Sequence, residues 1–213
     1  MKKQFAACLA LLVWFALVLQ MYVSIRWSQQ RGMSIGHGVW MYFAFFSVLT
    51  NLLIAFALTF PLHWPESLPG RFFGHARVVT GIAASAVLVS LAYNLLLRQL
   101  WNPHGAQLIA EVVMHDVAPI AFLVYWWLRV PRASVRCGDI VPMAVYPVAY
   151  FFYAMLRGAE SGFYPYPFFN VAHLGYARVL VNAIGILAGF VIIASVLISL
   201  NRFNPSVQAR QIG

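Results

Sequence analysis

Charged residues are scarce in this chain. Only 9% of its 213 residues are charged and five are acidic, whereas about a quarter of the residues in a soluble domain are charged. Apolar residues make up 62% of the chain, which is more than a soluble domain of this length buries. The composition therefore excludes a water-soluble protein and predicts an integral membrane protein.

Cysteine is equally scarce. Cys8 lies in the first apolar run and Cys137 in a basic loop, and this placement is typical of neither a disulfide framework nor a metal site. No second histidine lies at the depth of His115 in the apolar runs, so the paired axial ligands of a haem electron carrier are missing. We therefore predict no metal and no cofactor.

Long apolar runs are what the chain has in abundance. A bilayer core needs about 20 predominantly apolar residues per helix, and six stretches qualify: about 4–25, 39–61, 77–100, 108–130, 139–156 and 174–200. The sequence shows neither an internal repeat nor a low-complexity tract. The predicted fold is an all-α, six-transmembrane-helix bundle in which residues 1–213 form one domain.

The basic residues predict the orientation of this bundle. Nine of the 14 Lys and Arg residues fall on the side of the N-terminus and five on the other. Lys and Arg are enriched in cytoplasmic loops, so both termini are expected in the cytoplasm. The net charge of +9 is explained by these loops, and no nucleic-acid partner is predicted.

An ionisable pair, His115-Asp116, lies inside the apolar stretch 108–130. Such residues are costly in hydrocarbon and normally face a bundle interior or a wet cavity. At 1.5 Å per residue, His115 lies about 11 Å below the outer boundary, Ser47 about 12 Å and Thr50 about 17 Å. This common depth predicts a buried pocket in the outer half of the membrane, to which these three residues contribute polar groups.

Further polar residues fall in the same layer, and we predict that they bind substrate: Asn51, Asn94, Asp116, Tyr150, Arg157, Tyr166, Arg178 and Asn182. The two asparagines Asn51 and Asn94 have a structural alternative as interhelical hydrogen bonds. Asp116 points about 100° away from His115, so we expect it to pair with Arg157 or Arg178. The Pro-rich segment 157–172 is expected to cap the outer mouth of the bundle.

Several of these residues belong to recognisable pieces of sequence: Phe45–Asn51, Met114-His115 with Pro119, Tyr166-Pro167-Phe168 and Gly175-Tyr176-Ala177-Arg178. With them the chain resembles, over most of its length, small bacterial membrane relatives of the androgen-induced and androgen-dependent TFPI-regulating protein family. This resemblance implies that the protein lies in the inner (cell) membrane of a bacterium. Those eukaryotic proteins are intramembrane threonine hydrolases of fatty acid esters of hydroxy fatty acids. The resemblance implies His115 as base and either Ser47 or Thr50 as nucleophile; depth favours Ser47, and residue type favours Thr50.

Three functions stay open at this point. The first is a lipid ester hydrolase in which His115 activates the hydroxyl and a polar group stabilises the oxyanion; the donor candidates are Asn94, Asn182, Arg178 and Tyr150. The second is a protein that binds or transports a lipid or a small anion through Arg157, Arg178 and His115. The third is an accessory protein whose polar layer only joins helices. In each case membrane lipids are the expected partners.

Overall fold

The computed structural model describes residues 2–203, and this part of the chain is helical without a strand. Six helical segments are long and apolar enough to cross a membrane: Lys3–Gln30, Phe46–His63, Ala76–Leu100, Ala106–Arg129, Cys137–Ser161 and Val171–Phe203. The predicted all-α fold with six candidate spans is therefore confirmed. The orientation of the termini stays a prediction.

Nine α-helices form the described part of the chain: α1 (Lys2–Gln30), α2 (Ile35–Tyr42), α3 (Phe46–His63), α4 (Leu68–Gly74), α5 (Ala76–Ala92), α6 (Ala106–Val112), α7 (Ala118–Arg129), α8 (Ile140–Ser161) and α9 (Val171–Phe203). One π-helical turn, Tyr93–Leu97, prolongs α5, and a second, Val113–Val117, joins α6 to α7. Short 3₁₀ turns lie at Arg98–Leu100, Cys137–Asp139 and Pro167–Phe169.

Successive spans run in opposite directions. Lys3 at the start of α1, Pro61 near the end of α3 and Arg129 at the end of α7 line one cavity. We call this end of the bundle proximal and the opposite end distal. At the proximal end the side chain of Asn201 in α9 also donates to the carbonyl of Pro131, at 2.8 Å, and so ties α9 to the loop after α7.

The core lies between α1, α3, α5 and α7. Small side chains such as Ala16, Ala55 and Ala83 are fully buried there, and they let the helix backbones approach closely, as is usual between membrane helices. Some polar side chains in the core pair across helices: the indole of Trp126 donates to the hydroxyl of Thr80 at 2.9 Å. This hydrogen bond joins α7 to α5.

The second predicted span, 39–61, is wrong as one continuous helix. The chain leaves the helical conformation between α2 and α3, where Phe45 is extended (φ −92°, ψ 132°). No proline or glycine lies in the interrupted stretch 39–50, so local sequence carries no sign of the break. Only α3 is left as the span, and its first turn begins inside the bundle.

Side chains of α8 stabilise this break. A helix that stops leaves backbone carbonyls without partners, and these are costly in an apolar bundle. One face of α8 supplies the donors: Tyr150 to the carbonyl of Ala44 at 2.8 Å, Tyr153 to Phe43 at 3.1 Å and Arg157 to Trp40 at 2.8 Å. The break is therefore determined by residues about 100 positions later in the chain.

The predicted cap, 157–172, is shorter than expected. The helix α8 continues through Ser161 and ends at Gly162, which adopts the left-handed conformation (φ 72°). The irregular part is the stretch 162–170, which folds back against α8: the ring of Tyr164 lies where a Cβ on Gly158 would be, 2.0 Å from that position. Only a glycine at 158 permits this close packing.

Candidate functional site

Two π-helical turns face each other in the distal half of the bundle. Proline has no N–H, so Pro119 cannot donate to the carbonyl of His115 four residues earlier, and the helix widens in the turn Val113–Val117. The turn Tyr93–Leu97 is its counterpart at the end of α5. Such turns are frequent at functional sites because they redirect side chains. Here they bring His115 and Tyr93 together.

His115 is held from one side by Glu111. Its Nδ1 lies 3.0 Å from the backbone carbonyl of Glu111 and 3.1 Å from the carboxylate Oε2. A carbonyl has no proton to give, so Nδ1 must be the donor and the neutral imidazole then carries its lone pair on Nε2. Both residues are almost fully buried, with 9% of His115 and 6% of Glu111 exposed. The arrangement fixes the tautomer that a general base requires.

The orientation of the imidazole plane is also fixed. The ring of Tyr93 stacks on it with centroids 4.0 Å apart and an angle of 16° between the planes. Because Tyr93 and His115 lie on different π-helical turns, this stack joins the two widened segments. Ring rotation of His115 is therefore restricted by Tyr93 as well as by Glu111.

Asp116 does not pair with Arg157 or Arg178 as expected. Its carboxylate accepts a hydrogen bond from Asn94 at 2.8 Å and forms an ion pair with Arg98 at 3.0 Å. Arg98 also donates to the amide oxygen of Asn94. The three residues lie outside the cavities described below, so Asp116 and Asn94 join the two π-helical turns rather than line a pocket.

Ser47 lies in the first turn of α3, directly after the break. The hydroxyl of Tyr166 contacts both the backbone and the side chain of Ser47, and it accepts a hydrogen bond from the backbone N–H of Phe46 at 3.0 Å. Burial raises the pKa of Tyr166 to about 12, which the hydrogen bonds from Ser47 oppose. The phenol is therefore neutral at physiological pH and keeps its proton for donation.

Two cavities meet at these residues. The larger has a volume of about 300 Å³ and a mostly apolar lining, and we call it the polar chamber because Gln20, Ser24, Gln107 and Glu111 line it toward α1 and α6. The smaller, the apolar chamber, has a volume of about 60 Å³ and is lined toward α5 and α9 by Leu88, Val89, Ala92 and Ile186. Five residues line both chambers and form the wall between them: Ser47, Tyr93, Leu97, His115 and Tyr166. The wall thus brings Ser47 and His115 together with Tyr93 and Tyr166, whereas Glu111 lines only the polar chamber.

The structure separates the two candidate nucleophiles. Thr50 is fully buried, lines neither chamber and shares a 2.8 Å hydrogen bond with the hydroxyl of Tyr146. Ser47 lines both chambers together with His115. Asn51 also lies outside the chambers, and its amide donates to the carbonyls of Ser47 and Met114 at 2.9 and 3.1 Å. Asn51 therefore fixes the spacing between α3 and the turn that carries His115.

The remaining predicted binding residues are not brought together. Arg157 is buried over the ring of Trp40, 3.5 Å from its centroid, and Tyr150 lines the apolar chamber while its hydroxyl is bound to the break. Arg178 lies exposed on α9, and the side chain of Asn182 donates to the carbonyl of Phe168 at 2.9 Å. The cationic set expected for an anion site is thus dispersed.

Sequence reasoning did not identify Glu111 or Tyr93 as site residues. Glu111 had a detectable signal, because residues four apart share a helix face and His115 is four residues later. The depth of Tyr93 along its span puts it in the same polar layer, but its stack on His115 leaves no pattern in the chain. Within residues 2–203, no group of three or more His, Cys, Asp and Glu side chains is placed to hold a metal ion.

Comparison with protein-family models, curated proteins and solved structures finds no match to this chain.

Proposed function

We propose that this protein is an intramembrane hydrolase of lipid carboxylic esters, with Ser47 as nucleophile and His115 as general base. The observation that carries the proposal is the shared wall: Ser47 and His115 line the same two cavities. The backbone carbonyl of Glu111 accepts from Nδ1 of the imidazole, and the Glu111 carboxylate lies 3.1 Å from the same nitrogen. A hydroxyl, an imidazole and a carboxylate are the components of a nucleophile–base–orienter system.

The reaction follows from these roles. Nε2 of His115 takes the hydroxyl proton, and Oγ of Ser47 attacks the ester carbonyl to form a tetrahedral intermediate. His115 then returns the proton to the departing alcohol oxygen, which leaves an acyl group on Ser47. A water molecule, deprotonated by the same Nε2, cleaves this acyl-enzyme and regenerates the hydroxyl.

The oxyanion of the intermediate has donors at the start of α3. The first N–H groups of a helix have no partner within the helix, and the helix dipole places partial positive charge there. In the resting structure the Tyr166 hydroxyl accepts from the N–H of Phe46. When an ester carbonyl enters, Tyr166 turns its own proton toward the oxygen, beside the N–H of Ser47. The preorganised donors then stabilise developing charge.

The two chambers suit the two halves of an ester. The apolar chamber is lined almost entirely by carbon atoms and takes the part of the acyl group next to the carbonyl. The polar chamber holds the alcohol half and the hydrolytic water beside Gln107 and Glu111. The resemblance to intramembrane threonine hydrolases supports the same reaction class, with Ser47 in the nucleophile position.

The test is covalent labelling of membranes with a fluorophosphonate probe, which reacts with activated hydroxyls. We expect labelling of the wild type and of Ser85→Ala, because Ser85 is a buried serine that bonds the carbonyl of Gly81 and lines neither chamber. Ser47→Ala and His115→Ala abolish labelling, and Thr50→Ser keeps it. Labelling that persists in Ser47→Ala would exclude Ser47 as nucleophile.

A further inference from the structure

A separate cavity lies at the proximal end of the bundle. Its volume is about 340 Å³ and it is formed where α1 begins and α3 and α7 end, with Lys3, Leu58, Pro61, Leu62, Tyr125 and Arg129 among its lining residues. It shares no residue with the two chambers at Ser47. Three spans have their proximal ends here, so the cavity lies at the boundary between hydrocarbon and headgroups.

Pro61 leaves one backbone carbonyl at the cavity without its helical donor. Without an N–H, Pro61 cannot bond the carbonyl of Ala57. The hydroxyl of Tyr125 in α7 donates to that carbonyl instead, at 3.4 Å. The floor of the cavity is therefore a buried phenol among apolar side chains, next to the guanidinium of Arg129.

The charge in this cavity is uncompensated. Lys3 and Arg129 both line it, and neither forms an ion pair with a carboxylate of residues 2–203. Four of the five acidic residues are paired elsewhere, as Glu66–Arg71, Glu111–His115, Asp116–Arg98 and Asp139–Arg77. The fifth, Glu160, lies exposed near the distal end of α8. Two cations thus face one concave surface without a counter-charge from these side chains.

We propose that this cavity binds the phosphate group of an anionic phospholipid. Lys and Arg are the natural partners of phosphate oxygens, and basic pockets between membrane helices take anionic headgroups. Leu58 and Leu62 give the cavity an apolar floor, which packs against the glycerol end of the lipid, while its acyl chains run along the outside of the bundle. Free phosphate would bind to the two cations but gain nothing from this floor.

The experiment compares lipid retention by purified protein in neutral detergent, measured by native mass spectrometry after addition of equal amounts of phosphatidylglycerol and phosphatidylcholine. The test variant is Lys3→Gln/Arg129→Gln. The matched control is Arg136→Gln/Arg202→Gln, which removes the same charge at the same end from two exposed residues outside the cavity. We expect the test variant to lower the preference for phosphatidylglycerol about tenfold or more, and the control to change it less than about twofold.

Two results would overturn the proposal. Equal losses in both double variants mean that the preference reflects general surface charge rather than this cavity. Displacement of the lipid by millimolar inorganic phosphate means that the cations bind a free anion and that the apolar floor contributes nothing. If the double variant unfolds, Arg129→Gln alone is compared with Arg136→Gln alone, and Ser47→Ala checks that retention does not depend on the distal site.

Discussion

Glu111→Gln is the substitution that most directly tests how His115 is activated. The change keeps the size of the side chain and leaves the backbone carbonyl of residue 111 in place, 3.0 Å from Nδ1. That carbonyl continues to hold the Nδ1 proton, so the tautomer survives. What is lost is the negative charge that, in the proposed mechanism, stabilises the imidazolium formed when His115 takes the proton of Ser47.

The structure gives the size of the effect. Unit charges 3.1 Å apart interact by about 5 kcal/mol at an effective dielectric constant of about 20. Both charges are delocalised over their groups, which lengthens the effective separation and reduces the interaction to about half. We therefore expect the barrier to rise by about 2.5 kcal/mol, and kcat to fall about 70-fold.

The assay is steady-state hydrolysis of a medium-chain p-nitrophenyl ester by the protein in detergent micelles. Because Glu111 acts through the imidazole, kcat should fall while KM stays within about twofold. The control is Asp116→Asn, which removes the carboxylate next to His115 in the π-helical turn Val113–Val117, bound to Asn94 and Arg98 outside the chambers. We expect it to change kcat less than about threefold.

If Glu111→Gln keeps the wild-type kcat, the proposed role of Glu111 is refuted, because losing a negative charge this close to His115 must make proton transfer to the imidazole less favourable. Equal losses in Glu111→Gln and Asp116→Asn would refute it too, since both would then act by positioning the two π-helical turns. Thermal midpoints of the two variants, measured in the same detergent, separate a loss of activation from a loss of folded protein.

Three further predictions concern the fold around the site. Tyr150→Phe leaves the carbonyl of Ala44 without its 2.8 Å donor and should lower the unfolding free energy by about 1–2 kcal/mol, measured by detergent titration. Pro119→Ala restores a donor for the carbonyl of His115, so the π-helical turn should tighten; hydrolysis should fall at least about tenfold without loss of thermal stability. Burial raises the pKa of Tyr42 from 10.0 to about 12. The folded state therefore binds more protons than the unfolded state between these two pH values, and stability should fall as the pH rises through them. Tyr42→Phe should flatten this part of the curve of thermal midpoint against pH.

Much of the fold could be predicted from hydropathy because every span must satisfy the same constraint of length and apolar composition. Depth arithmetic along these spans was also enough to bring Ser47 and His115 to one layer. The same arithmetic could not predict how each helix is rotated about its own axis, and so which residues it turns toward its neighbours. Arg98 was therefore overlooked as the partner of Asp116, although it lies on the same side of the bundle as Asn94, four residues away.

The break before α3 shows why hydropathy alone could not give the site. In one continuous helix over 39–61, the N–H of Ser47 would be bound to the carbonyl of Phe43, and no donors would be left for an oxyanion. Because the helix instead starts at Phe46, Ser47 lies at the positive end of a helix dipole deep in the bundle. Thr50, one turn later, has its N–H inside the helix and lacks this environment. The preference for Ser47 therefore depends on the break, and the break depends on donors from α8 that no local pattern near residue 45 reveals.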